Sequence, residues 1–350
     1  MRFEKERAVE SNAYMPASAR ECKGWCGLTG RSHVRQTHAM KMPTLHSRCK
    51  ATSLVFLLAA GALWPARAEW QRTETALAWR TGTNALWEFS FDPRKGKPFF
   101  HPLTANGRAL TNFKPEDHPW HYGFWFSWKY INHVNYWEEN RQTGKGEGAT
   151  RWETPVIETK PDGSATIKLN LSYTNPTGRV DMVEVRELKI SAPTPAGDYS
   201  IDWRAHFTAG KAGAVLDRTA MPGEPGGAVN GGYAGLGLRM AAPPLGFSVL
   251  CSTGAVSRFQ SDRARPFAPA LACNFTEGAR DIGGVAIFSD PINAGVESPW
   301  YVVNAKEMRF ACSAILAPKI RTLQPDEKME LHYLIAIRSK PWTVEDLKAK

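Results

Sequence analysis

Between the turn sequences PDG at 161–163 and NPTG at 175–178, Ala165, Ile167, Leu169, Leu171 and Tyr173 occupy every second position with polar residues between them. Side chains of an extended chain alternate between two faces, so this stretch buries its apolar set on one side only as a β-strand. The same period returns at Tyr199, Ile201, Trp203, Ala205 and Phe207 after TPAGD, and at Met329, Leu331, Tyr333, Ile335 and Ile337. Val183 and Val185 are followed by Leu188 and Ile190, a one-residue slip that predicts a β-bulge. Helix signals are scarce: only WTVEDLKAK at the end of the chain qualifies, with Thr343 three residues before Asp346 as in a capping box. Repeated short strands punctuated by turn residues predict an all-β fold, a large antiparallel β-sandwich with one short C-terminal helix.

The chain has 350 residues and is 43% hydrophobic, ample for a large core. Its formal charge of +10 suggests nucleic acid until the charges are located. Residues 40–68 read MKMPTLHSRCKATSLVFLLAAGALWPARA, a basic start, an apolar run over 51–64 and a closing Ala66-Arg67-Ala68. This is the pattern of a signal peptide cleaved near Ala68, and its apolar run is too short for a membrane span. Residues 1–39 are polar and patternless, and are read as a disordered, non-native extension ahead of a true start at Met40 or Met42. The segment through Ala68 holds 11 of the 44 basic and 4 of the 34 acidic residues, leaving 33 and 30 in a mature chain. A mature charge near +3 removes the case for nucleic acid. The expected organisation is therefore a leader followed by a single β-sandwich domain over 69–350, periplasmic or secreted, with no membrane span in the mature chain.

Three cysteines remain after the leader, Cys251, Cys273 and Cys312. Their spacing fits no zinc motif, and export permits a Cys251–Cys273 bridge.

Residues 101–140 hold four of the nine histidines and ten aromatic rings. Read as a strand, 120–128 places Trp120, Tyr122, Phe124, Phe126 and Trp128 on a core face and His121, Gly123, Trp125 and Ser127 on the other. His118, after Glu116 and Asp117, then enters from the preceding loop. Imidazoles near carboxylates suit proton transfer, which makes His118, His121, Asp117 and Glu138 the catalytic candidates. His101, His118 and His121 are the alternative as ligands of a divalent metal, with Asp117 behind them. Otherwise no cofactor is expected. Aromatic rings beside polar groups also suit a sugar, whose apolar ring face packs on indoles, with Trp125, Trp137 and Tyr136 as candidates and Glu138, Glu139 and Asn140 adjacent. In NGGYAGLGLRM, Tyr233 and Arg239 lie near paired glycines and can orient a ligand, as can His101, and ESPWYVVN at 297–304 adds the aromatic pair Trp300 and Tyr301. Signatures of serine hydrolases, zincins and nucleotide-binding loops are absent.

In order along the chain, FFHPLTANGRALT, DHPWHYGFWFSW, NYWEEN and GGYAGLGLRM resemble an exported bacterial family labelled PmoA-like, or "methane oxygenase PmoA", over about residues 70–338. Trp120 stands where that family often has a further histidine. The resemblance further implies the supersandwich of galactose-mutarotase-like and polysaccharide-lyase proteins, whose concave face binds sugars. The expectation is an exported carbohydrate-active protein using acid–base chemistry of epimerase, lyase or hydrolase type. The alternatives are a non-catalytic glycan-binding protein and a metal-dependent oxidoreductase or hydrolase.

Overall fold

The computed structural model describes residues 68–349. The upstream extension and all of the signal segment except Ala68 lie outside the described residues.

Every strand pairing among the described residues is antiparallel, and the strands form two large sheets and one small one. The first, of eleven strands, has at its centre, in order, Phe99–Ala105, Phe124–Ser127, Gly235–Arg239, Arg309–Ser313 and Ser298–Asn304. The second, of ten strands, is built around Ala165–Thr174, Val180–Ile190, Tyr199–Ala209, Lys328–Arg338 and Arg280–Ser289. A four-stranded sheet joins Ala214–Asp217 to the hairpin Tyr130–Ile131 and Val134–Asn135.

Period-2 alternation explains the packing. Phe100, Phe124, Phe126, Leu236 and Leu238 of the first sheet meet Ile167, Leu188, Trp203, Phe207 and Ile335 of the second in one buried cluster. Phe124 and Trp203 meet edge to face at 5.8 Å, and Phe126 and Phe207 lie 5.6 Å apart. Burying each such ring contributes about 1.5–3 kcal/mol. The all-β sandwich expected from the alternation is the fold observed. The C-terminal helix Val344–Lys348 carries the expected capping box, and its Leu347 packs with Trp342, Ala272 and Ala336 on the outer face of the second sheet. Among the described residues no helix is long and apolar enough to cross a membrane.

Two local expectations fail. In Val180–Ile190 the inward residues are Met182, Glu184, Arg186, Leu188 and Ile190, while Val183 is exposed. Register is continuous from Met182 to Ile190, and the irregularity lies earlier, opposite the Tyr173–Thr174 step. The apparent slip is an ion pair in the core: Glu184 accepts from Arg186 Nε at 2.6 Å and from Tyr173 Oη at 2.5 Å. Nor is there a Cys251–Cys273 bridge; all three cysteines are free and buried, and burial pushes the Cys273 thiol up.

The opposite face of the first sheet bears a second apolar layer, with Phe99, Trp125, Tyr301, Val303, Phe310 and Cys312 pointing away from the sandwich. That layer is the floor of the site.

Candidate functional site

Strand residues Phe124 and Trp125 continue the alternation read from sequence, but the residues before them do not. Gly123 has φ +75°, and a Cβ there would lie 2.7 Å from the Phe100 carbonyl oxygen. Only glycine accepts both the left-handed conformation and that approach. The chain turns at this point, so Tyr122 joins Trp125 in the outer layer instead of Phe124 and Phe126 in the core. Trp120 precedes the strand and is half-buried.

The segment before Gly123 folds back on itself: Phe113 bridges Tyr122, Lys114 N–H donates to the His121 carbonyl at 2.8 Å, and His121 N–H to that of His118 at 3.0 Å. Arg141 ties the tip down by donating to the carbonyls of Glu116 and Asp117. Nearby, Asn135 Oδ1 accepts from the backbone N–H of Trp137 at 2.9 Å and Glu138 at 3.2 Å, fixing the two side chains that follow.

These elements enclose a cavity of about 220 Å³. His118, Trp120, His121, Trp137 and Glu138 come from 118–138, Asn230 and Tyr233 from the glycine-rich loop at 218–234, Arg263, Tyr301 and Phe310 from the far strands, and Met308 from the turn between the last two. Behind this wall Arg239, 2% exposed, organises the imidazoles. Its Nη2 donates to both Asp117 oxygens, at 2.8 and 2.7 Å, and to the Glu307 carbonyl at 2.9 Å. Burial would raise the Asp117 carboxyl, but hydrogen bonds from Arg239 and His118 hold it below the usual carboxylate value. Asp117 Oδ2 lies 2.8 Å from His118 Nδ1. An ionised carboxylate only accepts, so Nδ1 carries the proton and Nε2 is the basic nitrogen of His118.

His121 is 3% exposed and stacks on His118 at 4.7 Å and on Phe310 at 4.9 Å. Arg239 Nη1 is 3.4 Å from His121 Nδ1; a guanidinium cannot accept, so Nδ1 is the acceptor and Nε2 carries the proton. Burial lowers both imidazoles, and His121 lies well below the usual value because His118 and Arg239 add to burial. Both rings are therefore neutral at pH 7.

Glu138 has both oxygens engaged, Oε1 by Tyr233 Oη and Oε2 by the buried ammonium of Lys129. Burial pushes Glu138 up, but Lys129, Tyr233 and Asn135 outweigh it and keep the carboxylate ionised. Burial, reinforced by Glu138, raises the Tyr233 hydroxyl, which stays protonated. Glu139 points elsewhere, to Lys97 at 2.7 Å, Lys114 at 3.2 Å and Tyr122.

Of the residues expected at the site, His118, His121, Trp137, Glu138 and Tyr233 line one cavity, while Asp117 and Arg239 act from behind. Trp125 is fully buried beneath His121, 5.1 Å away, and offers no ring face to a ligand, and Tyr136 is buried on the other side, in the core against Tyr173. His101 stands apart, stacked on Phe113 and hydrogen-bonded through Nδ1 to Thr111 Oγ1 at 2.9 Å, so the three candidate metal ligands do not converge. Among the described residues no group of three or more His, Cys, Asp or Glu side chains is arranged to hold a metal ion. Asn230, Arg263, Met308 and Phe310 were not legible as site residues, and Tyr301 was marked only by the aromatic pair in ESPWYVVN.

Residues 76–350 match the family described as "Family of unknown function (DUF6807)", and the chain belongs to that family. That match stands in place of the PmoA-like name suggested by the motifs, for which the comparison gives no support. No curated protein matches the sequence. Solved structures that match include an α-galactosidase from Lactobacillus brevis, with 8% identity over 78% of this chain and a TM-score of 0.42. This chain spans 40% of the length of that enzyme. Another is a galactose mutarotase related enzyme from Lactobacillus acidophilus, with 7% identity, 79% of this chain and 98% of that one covered, and a TM-score of 0.39.

Proposed function

We propose that the protein binds a sugar or sugar derivative in this cavity and acts on it by proton transfer. One observation carries the reading: His118, neutral and oriented by Asp117, shares a small cavity with neutral His121, ionised Glu138 and the indoles of Trp137 and Trp120. The half-buried Trp120 indole suits the C–H face of a pyranose, with Trp137, 1% exposed, closing the wall behind, and Asn230, Tyr233 and Glu138 suit its hydroxyls. A volume of about 220 Å³ lies below the range for drug-sized ligands, roughly 300–1,000 Å³, and so favours a single ring over a chain.

In this reading His118 Nε2 is the general base. His121 Nε2–H donates to the substrate oxygen on which negative charge develops, and the Arg239 guanidinium on the opposite nitrogen strengthens that donor. Glu138, already neutralised by Lys129, orients a hydroxyl and is a poor base. Hydrolysis by a carboxylate pair needs two free carboxyl groups. Asp117 is committed to Arg239 through both oxygens, which favours isomerisation or elimination.

The test is calorimetric binding of monosaccharides and sugar acids. Bound compounds are then followed by NMR for new products, faster anomeric exchange or uptake of solvent deuterium. His118→Ala should lower turnover by about 10²–10⁴-fold with little change in affinity. A second reading, a non-catalytic glycan-binding protein, is favoured by the fully engaged oxygens of Glu138. It requires binding with no turnover of any bound sugar. Export is part of the proposal, supported by the leader pattern at 40–68. N-terminal sequencing of periplasmic protein should begin at Glu69, and residues retained ahead of it would count against the cleavage site.

A further inference from the structure

The charges around the cavity cancel in pairs on one side and not on the other. Glu138 is matched by Lys129 and Asp117 by Arg239, and both imidazoles are neutral. On the opposite wall Arg263 lines the cavity, and the Arg265 guanidinium lies over the Tyr301 ring at 4.7 Å. Neither has a carboxylate partner among the described residues. Their hydrogen bonds go to neutral acceptors. Arg263 Nε donates to Tyr301 Oη at 3.2 Å and Nη1 to the Ser261 carbonyl, while Arg265 Nη2 donates to the carbonyls of Val229 and Gly231. No partner is found for Arg263 Nη2 among the described residues, and Nη1 has a second N–H beyond the one given to Ser261, so donors on both terminal nitrogens are left for a ligand.

The backbone holds Arg263 in place at a cost. Gln260 and Arg263 exchange both backbone hydrogen bonds, at 2.8 and 3.0 Å, across a two-residue turn whose central residues Ser261 and Asp262 have φ of 47° and 63°. Left-handed conformations at two consecutive non-glycine residues are disfavoured. Arg263 then pairs with Val303, on the strand that carries Tyr301.

We propose that the ligand is an anion, a sugar acid whose carboxylate is received by the free donors of Arg263, with Arg265 adding positive potential through Tyr301. The geometry of a guanidinium edge matches the two oxygens of a carboxylate. The assignment rests on the sugar reading of the same cavity and narrows its substrate class.

Titrating the full chain with glucuronate and galacturonate, their neutral parents glucose and galactose, glucose 6-phosphate and inorganic phosphate tests it. At least one uronate should bind about tenfold or more tighter than its neutral parent, by an advantage that shrinks as salt is raised. Arg263→Gln should erase the advantage, bringing the uronate's affinity down to about that of its neutral parent in the same variant. Arg263→Lys, which keeps the charge and loses the fork, should retain part of it, and serves if the glutamine variant does not fold. Neutral sugars binding as tightly as uronates, or a uronate advantage that survives Arg263→Gln, would overturn the charge assignment and leave the sugar reading standing. Tighter binding of glucose 6-phosphate or of inorganic phosphate alone would overturn the carboxylate. Silence from every sugar would overturn both readings.

Discussion

Replacing Lys129 by methionine removes the cation that keeps Glu138 ionised in a buried place. Lys129 is 3% exposed, and its ammonium also lies over the rings of Tyr130 at 4.8 Å and Tyr233 at 5.3 Å. Breaking one side of a fully buried ion pair costs about 3–5 kcal/mol. The Glu138 side chain is 24% exposed and keeps Tyr233 and Asn135, so the expected loss at neutral pH is about 2–3 kcal/mol. The pH dependence has a definite sign. In the native protein Glu138 sits below its ordinary value, so its contribution is present above that value and lost as pH falls. In Lys129→Met, burial is opposed only by hydrogen bonds and the folded pKa rises above the unfolded one. The penalty is then present at neutral pH and disappears as the pH falls through the raised value. Urea denaturation at pH 7.5 and pH 4.5 should show a gap between variant and native protein that narrows at the lower pH. Adding Glu138→Gln should recover most of the loss at pH 7.5. A loss below about 1 kcal/mol at pH 7.5, or an equal loss at both pH values, would refute the assignment of Glu138 as a carboxylate held by Lys129.

His101 is lowered to about 4, by burial first and the Lys95 charge second, and its Nδ1 faces a Thr111 hydroxyl already accepting from Leu103 N–H. A depressed histidine stabilises the fold above its unfolded value near 6.5, and that stability drains away as pH falls toward 4. The loss by pH 5 is about 2 kcal/mol, and urea titrations should show His101→Gln flattening that slope. Arg186→Met should cost about 3–5 kcal/mol by stranding Glu184 between the sheets, with Glu184→Gln in the same chain restoring at least half. Chemical denaturation decides it, and a single-variant loss below about 1 kcal/mol would contradict the pairing.

The fold was legible wherever one face of a strand is apolar, because period 2 is then visible without any knowledge of the partner sheet. Ala165–Thr174 and Lys328–Arg338 are such strands. Val180–Ile190 was misread because its inward positions include Glu184 and Arg186, which satisfy each other and leave Val183 outside. A charge pair buried by mutual compensation has the outward signature of a surface. Hydropathy therefore counts it on the wrong face, and only the flanking register exposes the error.

The site divides along the same physical line. Residues close in sequence to a shared structural cause were visible: the acid–imidazole cluster at Asp117, His118 and His121 stands out because buried imidazoles are costly without partners. What was hidden is who supplies those partners. Arg239 lies 122 residues from Asp117, so that pairing depends on sheet order that no local pattern encodes, while Lys129 reaches Glu138 across a hairpin whose short strands carry no period-2 signal. Gly123 shows the converse, one residue whose backbone reverses the faces on either side and moves Tyr122 from the expected core to the outer apolar layer. The unbalanced charge is the most distant feature of all. Arg263 and Arg265 look like ordinary surface arginines in sequence, and become informative only because the structure matches every neighbouring carboxylate of the cavity to another cation. A cavity that neutralises its own acids and leaves guanidinium donors free is poised for an anion, and that is a property of the pairing pattern rather than of any single residue.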